Sequence, residues 1–245
     1  MSMRALEDEL RVWQHDGAVP RIWWRDDDAV TLTPALEKLQ ELAERADTQV
    51  LLAIIPAHAD ARLATYVKAS SHLTACVHGW AHVNHATYPD KKCELGNHRP
   101  LQDVLADVER GCARVRALFE GEFAPVLVPP WNRMRLDLVP HLAEVGIMAF
   151  STFTHKLQEP RIQANTHVDI MSWKGVGGAR GKSLDEVAGD LTTAFGVSRK
   201  NGGYPIGLLS HHLVHDETAW EVLSELVSLE QLDWCGFPIP TRPVA

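Results

Sequence analysis

Short β-branched or apolar runs alternate with amphipathic stretches along most of this chain, and no other feature limits its folds as much. The runs are RIWWR (21–25), QVLLAII (49–55), LTACVH (73–78), APVLVP (124–129), GIMAFSTF (146–153), THVDIM (166–171) and YPIGLLSH (204–211). Each reads as a strand. Between them TPALEKLQELAERAD (33–47), LQDVLADVERGCARVRALFE (101–120), RLDLVPHLAEVG (135–146), SLDEVAGDLTTAFG (183–196) and DETAWEVLSELVSLE (216–230) read as helices. Thr33 followed by Pro34 is a helix-start signal, Asp216 is a second cap, and Pro140 interrupts the 135–146 stretch. Alternation of this kind predicts an α/β fold with a parallel sheet covered by helices. Seven strands over about 200 residues favour a (β/α) barrel over an open sheet, and in either architecture active sites gather at strand C-termini. Without linkers or repeats, 1–245 reads as a single domain, with 1–18 as an N-terminal helical extension.

Charge narrows the partners. A formal net charge of −8, a pI near 5.9 and the lack of a basic run argue against nucleic acid. No apolar run is long enough for a membrane span. The segment MSMRALEDELRVWQHDG is charged and amphipathic rather than signal-like. The cysteines Cys76, Cys93, Cys112 and Cys235 form no C-x-x-C pair. The expectation is a reduced, cytoplasmic protein acting on a small substrate instead of an external polymer.

Polar clusters fall where the strands finish. RDDD (25–28) ends the first, HGWAH (78–82) the third, PPWNR (129–133) the fourth and SHH (210–212) the seventh, while HVD (167–169) lies on the sixth. On a helical turn, His78 and His82 at i, i+4 share a face and form a metal-ligand pair, with His85 a third candidate or a neighbour. Adjacent aspartates repel, so a cation, a proton or water should compensate Asp26, Asp27 and Asp28. Two imidazoles and one carboxylate leave open positions on Zn²⁺, Fe²⁺, Mn²⁺ or Co²⁺. A neighbouring carboxylate then serves as general base. Strand alternation sends His211 and His212 to opposite faces, so one of them reaches the site. His167 and Asp169 share a face, Glu94 and Arg99 on the loop after the third strand form a rim, and Trp24, Trp80, Trp131 and Trp173 lie beside the motifs as stacking platforms for sugar rings or as core.

The order RDDD, HGWAH, VPPW, DIMSW (169–173) and LSH (209–211) resembles the polysaccharide deacetylases, carbohydrate esterases with the NodB homology domain. Their motifs are T-F-D-D, H-[ST]-x-x-H, R-x-P-Y, D-x-x-D-W and L-x-H. The resemblance spans roughly residues 20 to 216 and implies a distorted (β/α)7 barrel. It further implies a divalent metal, zinc first with Co, Mn, Fe or Ni as alternatives, and removal of an acyl group from a small carbohydrate or glycoconjugate, with an amide on an amino sugar as the leading case. Carried over, His78, His82 and one aspartate bind the metal, the preceding aspartate is the base, the Trp131 N–H stabilises the oxyanion and His211 is the acid. The aspartate pair is Asp27/Asp28, with Asp26/Asp27 as the other register. Gly79 replaces the Ser or Thr, Val128 stands where an arginine belongs, and Ser172 stands in the place of the second motif-four aspartate, leaving Asp169 and Trp173. Arg25 or Arg133 then supplies the missing positive charge. The competing readings are a carbohydrate-binding relative with weakened catalysis and a non-haem iron enzyme using the same ligand set. The strand–helix alternation disfavours the β-sandwich of the latter.

Overall fold

A computed structural model describes residues 3–154, 162–174 and 178–238. In chain order the elements are α1 (Met3–His15), β1 (Arg21–Ala29), α2 (Pro34–Arg45), β2 (Val50–Ile54), α3 (Ala61–Lys68), β3 (Leu73–Val77), α4 (Leu101–Leu118), β4 (Val126–Leu127), β5 (Ala149–Phe150), β6 (Val168–Asp169), β7 (Met171–Ser172), β8 (Arg180–Gly181), α5 (Leu184–Lys200), β9 (Ile206–Ser210), α6 (Glu217–Leu226) and β10 (Asp233–Trp234). Among the described residues two compact units form: one draws on 3–26, 33–50 and 166–238, the other on 27–32 and 51–165. The division falls inside β1, after Asp26.

In the first unit β1 lies between β10 and β9, with β6 beyond β9, and all these pairings are parallel. Residues Ile22 to Asp27 of β1 and the whole of β9 are buried, as expected for parallel strands covered on both faces. Trp23 meets Phe237 edge-on at 5.0 Å, while Trp24 tilts against Trp234 and donates its indole N–H to the Ser210 hydroxyl at 2.8 Å. That complete burial removes Trp24 from any sugar-stacking role. Helix α1, the expected N-terminal extension, packs on α5, with Trp13 edge-on to Phe195 and Arg199 paired to Glu9 at 2.8 Å.

In the second unit β2, β3, β4 and β5 follow one another in sheet order, and α3 and α4 pack against β3. The His78 N–H donates to the Ile54 carbonyl at 2.8 Å, so the chain leaves β3 at a fixed point. Strand β4 is only two residues long, because Pro125, Pro129 and Pro130 lack the N–H that a longer ladder needs. The expected helix at 135–146 is a 3₁₀ segment, Leu136–Val145. Pro140 inside it has no amide hydrogen and crowds the carbonyl four residues back, which excludes α-helical bonding. Helix α3 was not expected from periodicity; Asp60 starts it by accepting from the Leu63 N–H at 3.0 Å. Strands β8 and β10 also lie outside the expected runs, being too short to carry a pattern. Among the described residues no helix is long and apolar enough to cross a membrane.

The helix starts carry testable energy. Thr33 caps α2 through one bond, to the Leu36 N–H. Asp216 caps α6 through Ala219 and also accepts from the Gly181 N–H of β8. Replacing Thr33 by Ala should cost about 1 kcal/mol, and Asp216→Ala about 2 kcal/mol because a second donor is left unmade. Urea unfolding of both variants measures the difference, and equal losses would show that the Gly181 bond adds nothing.

Candidate metal centre and its surroundings

The three consecutive aspartates have three different surroundings. Asp28 lies at the end of β1 with φ 76°, a left-handed conformation that turns its carboxylate away from ordinary strand alternation. Its Oδ1 is 3.0 Å from His78 Nε2 and 3.3 Å from His82 Nε2. One ligand atom from each of Asp28, His78 and His82 lies within 4.8 Å of the other two. A cation with ligand bonds of about 2.0–2.2 Å in a tetrahedral shell holds its ligand atoms roughly 3.3 Å apart, so the donor set and spacing fit a divalent metal. Side-chain exposures of 32% for Asp28 and 23% for His82 leave one side of the trio open, whereas His78 is closed in at 2%.

His78 and His82 come together differently from the expected helical turn. His78 follows β3, Gly79 takes φ 60° and His82 takes φ 56°, so a loop with left-handed residues brings the two rings to a centroid separation of 5.3 Å. His78 Nδ1 is 2.9 Å from the Val128 carbonyl, which fixes the ring so that Nε2 faces Asp28. Val128, noted in the sequence for its lost arginine side chain, thus contributes through its backbone. Burial disfavours the charged form of His78, yet the hydrogen bond to Asp28 and the charges of Asp27 and Asp28 outweigh it and raise its pKa. For His82, burial and the nearby His78 charge lower the pKa. Asp27 is buried at 2% exposure and acts electrostatically on His78. His85 is outside the trio; its backbone N–H bonds to Cys93 O at 3.0 Å.

Trp131 lies beside His82, ring centroids 4.2 Å apart. Both Trp131 (φ 55°) and Asn132 (φ 58°) are left-handed, so among the described residues four of the six non-glycine positions of positive φ belong to this neighbourhood. Such conformations persist where packing over-determines them, commonly at functional sites. Arg133 directs Nη1 to the Lys92 carbonyl at 3.0 Å. The loop residues expected as a rim are not one: Glu94 is 1% exposed, and Arg99 pairs with Asp107 at 2.6 Å. Trp80 is half-buried and has the Arg110 guanidinium 3.7 Å from its ring centroid.

The first unit holds the remaining expected residues. Asp26 is fully buried, with Oδ1 2.5 Å from His212 Nδ1 and Oδ2 accepting from the Ser210 hydroxyl and the His212 N–H. Burial alone would raise its pKa, but the His212 charge and hydrogen bond outweigh that and hold it below the usual carboxylate range. This Asp26–His212 pair was not foreseen; its signal was the one polar residue too many in both RDDD and SHH. His211 lies edge-on to Trp173 at 4.6 Å, and Trp173 Nε1 donates to Asp169 at 2.7 Å. Burial raises the Asp169 pKa against the opposing His211 charge. His167 instead accepts from the Gly207 N–H through Nδ1, a structural bond. Arg25 is fully buried within β1.

No protein-family model and no curated protein matches this sequence. Solved structures do. Bc1960, a peptidoglycan N-acetylglucosamine deacetylase, aligns with a TM-score of 0.57 at 13% identity, covering 89% of this chain and 86% of that one. A family 4 acetyl xylan esterase from Clostridium thermocellum, described in complex with a cobalt ion, aligns at 0.52 and 10% identity, covering 88% and 87%. A mutant of BA3943, a CE4 family pseudoenzyme with restored enzymatic activity, aligns at 0.56 and 12% identity, covering 89% and 66%. The chain has the polysaccharide deacetylase fold. The α/β fold expected from the strand–helix alternation and from the motif order is the one these structures share.

His215 makes a pH test of the first unit. Burial lowers its pKa to about 4, and its Nε2 accepts from the His211 N–H at 3.2 Å. An unfolded histidine takes its proton near 6.5, so between pH 6.5 and about 4 the unfolded state binds the extra proton. Stability from this group is therefore complete above pH 6.5 and declines as pH falls to about 4. Thermal melts of His215→Gln, which keeps an acceptor for His211, should show a shallower decline over that window than wild type; parallel curves would contradict the assignment.

Proposed function

We propose that this protein is a metal-dependent hydrolase that removes an acetyl or related acyl group from an amino sugar or a similar carbohydrate. The observation that carries the reading is the convergence of Asp28, His78 and His82 at metal-ligand spacing within a polysaccharide deacetylase fold. The cobalt described with the Clostridium thermocellum esterase and the deacetylase activity in the name of Bc1960 support it. Zinc is the leading cation for this donor set, with Co, Mn, Fe and Ni as alternatives.

Asp28, His78 and His82 hold the cation, with the Val128 carbonyl fixing the His78 tautomer. Bound there, a divalent cation supplies Lewis acidity, which makes water nucleophilic at neutral pH and polarises the acyl carbonyl. Asp27 accepts the proton of the attacking water. Its buried position keeps the carboxylate out of bulk solvent. Arg25 lies two residues before Asp27 on β1, so strand alternation gives both the same face and lets the guanidinium replace the arginine missing at Val128. The Trp131 N–H donates to the developing oxyanion. By motif order His211 is the proposed acid for the departing nitrogen or oxygen; it lies against Trp173, whose indole N–H is held by Asp169. His212 is the weaker candidate for the acid, because Asp26 already engages its Nδ1.

Elemental analysis followed by acetate release from acetylated amino sugars, with and without chelator, tests the proposal. His78→Ala should lose both ion and turnover. Asp27→Asn and His211→Gln should keep the ion while turnover falls by about 10²–10⁴-fold. Retention of ion and rate by His78→Ala would overturn the scheme. The changes at Val128 and Ser172, with a pseudoenzyme among the similar structures, favour a second reading as a carbohydrate-binding relative without turnover. Glycan binding without acetate release by the wild-type protein would select it.

A further inference from the structure

Glu94 is a buried carboxylate with no place in the scheme above. Its Oε1 accepts from the Ala81 N–H at 2.8 Å and the Val83 N–H at 3.5 Å, and its Oε2 from the Trp80 N–H at 3.3 Å. These donors all belong to the loop that carries His78 and His82. A run of backbone N–H groups turned inward is a concave anion seat, and here a side chain of the same protein fills it. The segment delivering Glu94 is itself tied down: Asn84 Oδ1 accepts from the Cys93 N–H at 2.9 Å, and Leu95 O from the Arg135 N–H at 2.8 Å.

Gly79 shows that this seat is specific. A Cβ at position 79 would lie 2.2 Å from Glu94 Oε2 and 2.7 Å from the Pro130 ring, so any side chain there would displace the carboxylate. The related motif carries Ser or Thr at this position, and the present chain has glycine with φ 60°. The loop is enclosed from a third side by α4, where a Cβ at Gly111 would come within 2.5 Å of the Gly79 carbonyl.

We infer that Glu94 is a positioning residue for the metal centre, gathering the N–H groups of residues 80, 81 and 83 and so fixing His82 in its left-handed conformation. Gly79 is the space that admits the Glu94 carboxylate. The inference rests on the reading of Asp28, His78 and His82 as the cation ligands. It concerns how the loop is held, not which group ligates.

Zinc affinity by chelator competition and the visible absorption of the cobalt-loaded protein test it, with circular dichroism and thermal melts confirming the fold. Glu94→Ala should bind zinc about 10–100-fold more weakly, as loss of a ligand-orienting partner typically does, and its cobalt spectrum should change. Glu94→Gln keeps a carbonyl oxygen for Ala81 and should bind more tightly than Glu94→Ala. A folded Glu94→Ala with wild-type zinc affinity and cobalt spectrum overturns the inference. If Glu94→Ala does not fold, Glu94→Gln decides: a weakened affinity or altered spectrum supports the role, and wild-type values overturn it. His78→Ala run in parallel separates the two levels, since retention of zinc by that variant would sink the ligand assignment itself, whereas its loss beside an unaffected Glu94→Ala would sink only the role of Glu94.

Discussion

One carboxylate facing two imidazoles organises the candidate metal centre. Asp28 Oδ1 lies within 3.3 Å of both His78 Nε2 and His82 Nε2, and each of the three side chains is fixed from behind by something different. His78 is held by the Val128 carbonyl, His82 by a loop seated on Glu94, and Asp28 by a left-handed turn at the strand end. The chain gives each of the three adjacent aspartates a separate environment. Asp26 is hydrogen-bonded to His212 and Ser210, Asp27 is buried, and Asp28 meets the histidine pair.

Backbone strain concentrates at the same place. Asp28, His82, Trp131 and Asn132 all carry positive φ without being glycine, a conformation that β-carbon crowding makes costly. Close packing stabilises it. Pro130 and Glu94 leave no room for a side chain at Gly79, and its carbonyl leaves none at Gly111. Preorganisation of this kind is what a metal centre needs, because ligands free to relax would lose both affinity and orientation.

The departures from the deacetylase motifs acquire physical content in the structure. Val128 has no guanidinium to offer but supplies a carbonyl to His78. Gly79 has no hydroxyl, and the space it leaves is occupied by a carboxylate from further along the same loop. Ser172 hydrogen-bonds locally to the Lys174 carbonyl, while Asp169 keeps its bond to Trp173. The fold tolerates such exchange at 10–13% identity because its strands require buried apolar side chains rather than particular ones.

The sequence by itself determined the α/β architecture, the helix starts at Thr33 and Asp216, and the residue types of the candidate site. These follow from periodicity, capping chemistry and clustering at strand ends, all written locally along the chain. It left open whether Asp27 or Asp28 is the ligand beside the histidines and whether His211 or His212 is the acid, since a shift of one residue along a strand reverses the face. Tertiary structure set the contacts: Asp28 joins His78 and His82, Asp26 takes His212, and His211 sits against Trp173. It also turned Glu94 from an expected rim residue into a buried anchor and replaced the expected helical turn at 78–82 by a loop. Hydrogen bonds between residues fourteen to nearly two hundred positions apart made those choices, and no local pattern encodes them.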